Sequence, residues 1–164
     1  MGSGKTAVGS LLARNLGREF VDLDARIEAA TGRTVAEIFR ERDEQGFRAI
    51  EGRMVAEVAR LTGCVVATGG GVVTDPANVA ALRQSGLLVW LRASPETILA
   101  RIGGTGHLRP LLNVPDPLAR IRALLAEREP RYAEADLIVD TDGQDVEGVV
   151  AEIVRRLGDD APGR

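Results

Sequence analysis

The chain has 164 residues, 45% of them hydrophobic and 27% charged, which suits one compact domain with a real core and leaves no comfortable room for two. Its formal net charge of -3 and pI of about 5.3 argue against a nucleic-acid partner, because neutralising phosphates needs a surplus of Lys and Arg. No apolar stretch approaches the ~20 residues of a bilayer span and no signal-peptide pattern opens the chain, so no membrane partner is expected and the cytoplasm is the expected location.

In chain order, Gly2-Ser-Gly-Lys-Thr6 runs straight into a helix from about Lys5, with Leu11, Leu12 and Leu16 on a helical period and Gly17 closing it. This is the second half of the phosphate-binding pattern G-x-x-x-x-G-K-[ST]. Glycines let backbone N–H groups face phosphate oxygens, the helix N-terminus adds a positive dipole, Lys5 reaches the β and γ phosphates, and the Thr6 hydroxyl suits Mg²⁺. The first glycine of the pattern would lie two residues before Met1, as would the strand that feeds the loop.

Glu19–Asp22 predicts a short strand. Asp22 and Asp24, two apart at its end, would share a face and converge on a metal and a hydroxyl, although a solvated strand end or a helix N-cap at Asp24 explains such a pair as readily. Helical patterns follow over 25–30, 35–42 and 47–61, broken by Gly32 and Gly46. Within the last, Arg48 and Glu51 form an i,i+3 pair, whose ordinary reading is a surface salt bridge. Cys64 to Ala67 predicts a buried strand, with the lone cysteine read as a buried structural thiol. Thr68-Gly-Gly-Gly71 ends it, where parallel sheets bind ligands and where backbone N–H groups can grip a carboxylate.

Residues 78–83 predict a helix, 87–91 an apolar strand, and 95–102 and 118–129 two further helices. Between these helices, Gly103-Gly-Thr-Gly-His-Leu-Arg109-Pro-Leu-Leu112 has the composition of a lid that closes over a transferring phosphoryl group, with Arg109 its cation; His107 is a surface residue of that lid. Arg128, just before Pro130 at the helix end, either caps carbonyls or clamps a carboxylate. Residues 137–140 predict the last strand and 146–157 the last helix. Strands alternating with helices predict a parallel sheet covered on both faces.

Taken in order, Gly2-Ser-Gly-Lys-Thr6, Asp22-Leu-Asp24, Phe47-Arg48 with Glu51, Thr68-Gly-Gly-Gly71, Arg109-Pro-Leu-Leu112 and Arg128-x-Pro-x-Tyr132 closely resemble the shikimate kinases over almost the whole chain. The resemblance implies a P-loop, nucleoside-monophosphate-kinase-like α/β fold of three αβα layers, five parallel strands in the family, as a single domain over 1–164. A helical substrate-binding part would cover about 24–61, a lid about 103–115, and residues 159–164 a flexible tail.

It also implies the reaction: phosphoryl transfer from ATP to the 3-hydroxyl of shikimate, in aromatic amino acid biosynthesis, with Mg²⁺ as cofactor, ATP and shikimate as partners, and a monomeric enzyme. By position, Gly2, Ser3, Gly4, Lys5 and Thr6 would bind the nucleotide, Thr6 and Asp22 the metal, the latter through water. Asp24 would be the base at the reacting hydroxyl. Arg48 and Arg128 with Gly69, Gly70 and Gly71 would hold the substrate, Glu51 would orient Arg48, Arg109 would meet the β and γ phosphates, and Arg101 would stack on adenine. Lys5, Asp24 and Arg109 are the implied catalytic set.

The departure from the family lies at the N-terminus, where the central first strand would precede Met1. Its loss would leave two neighbouring strands with unpaired edges, at about 1–3 kcal/mol per buried unpaired group, so the sequence is expected to be a shortened form of a longer chain. The alternatives are another small-molecule P-loop kinase, such as a gluconate kinase, or a nucleotide-binding remnant without activity. A GTPase is disfavoured because no Asn-Lys-x-Asp signature is present.

Overall fold

Helices and short strands alternate through the computed structural model, which describes residues 2–103, 110–112 and 114–159. In order these are α1 (Lys5–Asn15), β1 (Glu19–Asp22), α2 (Leu23–Thr31), α3 (Val35–Val58), β2 (Cys64–Ala67), a 3₁₀ turn (Val72–Thr74), α4 (Pro76–Ser85), β3 (Val89–Arg92), α5 (Pro95–Ile102), a second 3₁₀ turn (Pro110–Leu112), α6 (Pro117–Tyr132), β4 (Leu137–Asp140) and α7 (Val146–Asp159). Most of the predicted lid and the tail from 160 onward lie outside the described residues.

β1 pairs in parallel with β2, Glu19 opposite Cys64 and Asp22 opposite Ala67, and β3 pairs in parallel with β4, Val89 opposite Leu137 and Arg92 opposite Asp140. Among the described residues the two pairs do not join. A cleft of about 500 Å³, lined by Val8, Leu12, Val65, Val66, Trp90 and Leu91 among others, separates the inner edges of β2 and β3. Those are the two unpaired edges that the sequence leads one to expect. Cys64 is half-buried and lines this cleft, so it is less enclosed than its apolar neighbours predict.

Three apolar clusters hold the layers. Val21, Leu23, Ile27, Phe47, Val55 and Val72 pack β1 against α2 and α3; Val8, Leu12, Leu91, Val139, Val150 and Ile153 pack α1 and α7 against β3 and β4; Ile98, Ile102, Ile121 and Leu124 join α5 to α6. Burial of a Val, Leu or Ile side chain contributes roughly 1.5–3 kcal/mol, so these clusters carry the fold. No helix among the described residues is long and apolar enough to cross a membrane.

Two elements depart from the predicted pattern. The break in the long helical segment falls at Asp43 (φ 58°, ψ -172°), not at Gly46, because the Asp43 carboxylate accepts the Gly46 N–H at 2.9 Å and caps a new helical start. α6 continues through Pro130 to Tyr132, so Arg128 lies within the helix and Tyr132 follows it one turn later on the same face.

Candidate active site

The glycine loop opens the site. Gly2 and Gly4 have φ of 63° and 85°, a left-handed backbone that favours glycine, and α1 starts at Lys5 immediately after. The first-turn N–H groups of an 11-residue helix therefore face the loop, with no acidic side chain nearby in that turn to fill the anion position. Lys5 Nζ donates to Ser3 Oγ at 3.3 Å, and the Thr6 hydroxyl donates to Asp22 Oδ2 at 2.8 Å. A hydroxyl and a carboxylate thus meet beside the phosphate loop, a pair of hard oxygen donors of the kind Mg²⁺ accepts alongside phosphates and water.

Asp22 does two jobs. Its other oxygen accepts the N–H groups of Asp24 and Ala25 at 3.0 and 3.2 Å and caps α2. The cap is therefore Asp22 and not Asp24. Asp24 stands in the first turn of α2 and not on the strand, so helix geometry, instead of the two-residue period of a strand, brings it to the same pocket as Asp22.

Across that pocket, of about 710 Å³, stand Arg48, Glu51, Gly69, Gly70, Gly71 and Arg128. Arg48 Nη1 donates to Glu51 Oε2 at 2.6 Å and Nη2 to Glu44 Oε1 at 3.0 Å. Glu51 is 1% exposed, which rules out the surface-bridge reading of this pair. Burial raises the Glu51 carboxyl above its ordinary 4.5, against the pull of Arg48, while Asp24 adds to the rise. For Arg48, burial works against the charge but the two glutamates outweigh it, and the guanidinium is held more firmly protonated than usual.

Glycine is required where these groups converge. A Cβ at Gly69 would sit 2.8 Å from Glu51 Oε1 and 3.4 Å from Asp24 Oδ1, and one at Gly71 would collide with the Arg48 guanidinium. Two buried polar atoms here lack a hydrogen-bond partner among the described residues: Glu51 Oε1, an acceptor, and Arg128 Nε, a donor on a side chain only 7% exposed. Buried unpaired groups are costly, and a guanidinium with an unpartnered N–H in a polar pocket is suited to meet an anion.

The predicted residues therefore come together with three qualifications. Ser3 lines the cleft between the strand pairs instead of this pocket. Arg101 lines the pocket, but its guanidinium is engaged by Thr141, at 2.8 Å to the hydroxyl and 2.6 Å to the carbonyl. Arg109 lies outside the described residues. Sequence reasoning missed Glu44, whose i−4 spacing from Arg48 would have revealed it, and the hydrogen bond from Tyr132 to the Gly70 carbonyl, 62 residues away, which no local pattern signals.

Comparison with known proteins points to a single family. A family model described as shikimate kinase matches residues 1–158. The shikimate kinase of Symbiobacterium thermophilum is 53% identical over 159 residues, covering 96% of this chain and 91% of that one; that of Moorella thermoacetica is 48% identical over 157 residues, covering 96% and 90%. Among solved structures, the shikimate kinase from Acinetobacter baumannii in complex with shikimate superposes with a TM-score of 0.96 at 37% identity, covering 99% of this chain and 91% of that one. The shikimate kinase from Bacteroides thetaiotaomicron superposes with a TM-score of 0.88 at 34% identity, covering 96% and 94%.

Proposed function

The chain belongs to the shikimate kinase family, a P-loop α/β kinase fold, and from that premise we propose how its own residues carry out ATP-dependent phosphorylation of shikimate at the 3-hydroxyl. The observation that carries the reading is the pair of unsatisfied buried atoms, Arg128 Nε and Glu51 Oε1, in a pocket shared with the phosphate loop. A ligand bearing both a carboxylate and hydroxyl groups satisfies both.

The glycine-loop N–H groups and the α1 terminus hold the triphosphate, and Lys5 neutralises charge on its β and γ groups. Thr6 and Asp22 are the residues that would hold Mg²⁺, which when bound would screen the phosphate oxygens and help orient the γ group. Arg48 and Arg128 take the substrate carboxylate together with the Gly70 and Gly71 N–H groups, and Glu51 keeps Arg48 aimed. Asp24 accepts the hydroxyl proton as the oxygen attacks phosphorus, and the bond to the β-bridging oxygen breaks to release ADP. Such transfer needs positioning and charge neutralisation more than covalent chemistry. Arg109 is assigned as a further cation for the β and γ phosphates, and Arg101, whose guanidinium is engaged by Thr141, is assigned to stack on adenine. The enzyme works as a cytoplasmic monomer.

The test is a KM split. Arg128→Ala should raise KM for shikimate roughly 10- to 100-fold, the worth of a charge-assisted bond, and leave KM for ATP unchanged. Arg48→Ala should do the same, with a lower Tm because Glu51 is left buried without its partner. Unchanged shikimate KM in both variants would remove the carboxylate assignment.

A further inference from the structure

Tyr132 closes the Arg128-x-Pro-x-Tyr132 run, and no step above uses it. Its hydroxyl donates to the Gly70 carbonyl at 2.5 Å. Its ring stacks on Trp90 of β3, centroids 5.4 Å apart and planes 28° apart, which fixes where that hydroxyl stands. One helical turn earlier, Arg128 presents its buried guanidinium to the same pocket as Gly70, so one face of α6 reaches both a charge and a backbone peptide of the site. Burial raises the phenol above its ordinary pKa of 10.0, against the charge and the hydrogen bond of the neighbouring Arg128.

The internal bonds of the glycine loop run from the Val72 N–H to the Gly69 carbonyl and from the Thr74 N–H and hydroxyl to the Gly71 carbonyl. None of them fixes the peptide between Gly70 and Gly71. That peptide is trans, so its carbonyl and its N–H lie in one plane and point in opposite directions, and glycines on both sides leave the plane free to rotate. Tyr132 is the side chain that pins it. With the Gly70 carbonyl held toward α6, the Gly71 N–H is held on the opposite side, at the residue the Arg48 guanidinium packs against.

We propose that Tyr132 is a positioning residue for the carboxylate end of the substrate, setting the Gly70–Gly71 peptide so that backbone N–H, Arg48 and Arg128 converge on one anion. The proposal rests on the functional reading above. It separates Tyr132 from a plain core aromatic: the ring's packing on Trp90 is structural, whereas the hydroxyl acts on substrate through the loop.

Tyr132→Phe keeps the ring and deletes only the hydroxyl. KM for shikimate should rise about 5- to 10-fold, the usual worth of one hydrogen bond, while KM for ATP and kcat at saturating shikimate stay within a factor of two and the melting temperature barely moves. The penalty should vanish when shikimate is replaced by its carboxamide, which lacks the anion. Equal shikimate KM in variant and parent, or the same penalty with acid and carboxamide, would overturn the proposal. A variant that merely lost kcat and Tm, both KM values unchanged, would show a structural role and overturn it too. Failure of the functional reading looks different: the parent protein itself would then release no ADP in response to shikimate.

Discussion

Glu51 holds one oxygen on Arg48 at 2.6 Å and leaves the other without a partner against Gly69, all at 1% exposure. Its carboxyl is raised chiefly by burial, so it protonates above 4.5 as the pH falls. A raised carboxyl favours folding most below its unfolded value of 4.5 and withdraws that contribution as the pH climbs through its folded value. For substrate binding the sign is the reverse, since the ionised form is the one that grips Arg48. KM for shikimate should therefore rise as the pH falls through the raised Glu51 value, and Glu51→Gln should abolish that limb, leaving KM high throughout. Steady-state kinetics across mildly acidic pH checks this, and a limb at the same pH in both proteins would show that another group titrates. The residue types of the site, Lys5, Thr6, Asp22, Asp24, Arg48 and Arg128, are legible in the sequence because each belongs to a short local pattern. The depth of the Arg48–Glu51 pair is not, because i,i+3 spacing reads the same on a wet helix face as in a buried one.

Among the elements, β2 and α5 lie where periodicity places them, since β2 is an apolar run stopped by glycines and α5 has Ser94 as its cap with Pro95 and Glu96 in its first turn. The break at Asp43 escapes the sequence because glycine is the obvious helix breaker, whereas here an aspartate side chain restarts the helix by capping it. α6 escapes as well, since Pro130 reads as a stop and sits instead in the last turn of a helix held by Ile121 and Leu124. The inner edges of β2 and β3 carry a physical consequence of their own. Gly2 packs against Ile98, in the helix that follows the carboxyl end of β3, so a strand running parallel to both edges would lead directly into the phosphate loop. Appending about six aliphatic residues ahead of Met1 should raise Tm at about 2–4 °C per kcal/mol gained, with calorimetry as the check. An unchanged Tm would mean that those edges are not short of partners.

At the scale of the whole molecule, three apolar clusters hold helices on both faces of the strand pairs, and the polar pocket opens at the carboxyl ends of β1 and β2, where parallel strands place their ligands. The phosphate loop and Arg128 lie far apart in the sequence, residues 2–6 and 128, and only the fold makes them one site. Membership of the shikimate kinase family and the order of its motifs are readable from the chain; their convergence on a pocket with an unpartnered Arg128 Nε is readable only in three dimensions. The most direct measurement is ADP production by this 164-residue chain with Mg-ATP, in the presence of shikimate, of gluconate, or of neither. The account predicts ADP release that depends on shikimate and does not respond to gluconate. Folded protein that binds Mg-ATP yet releases no ADP with shikimate would contradict it.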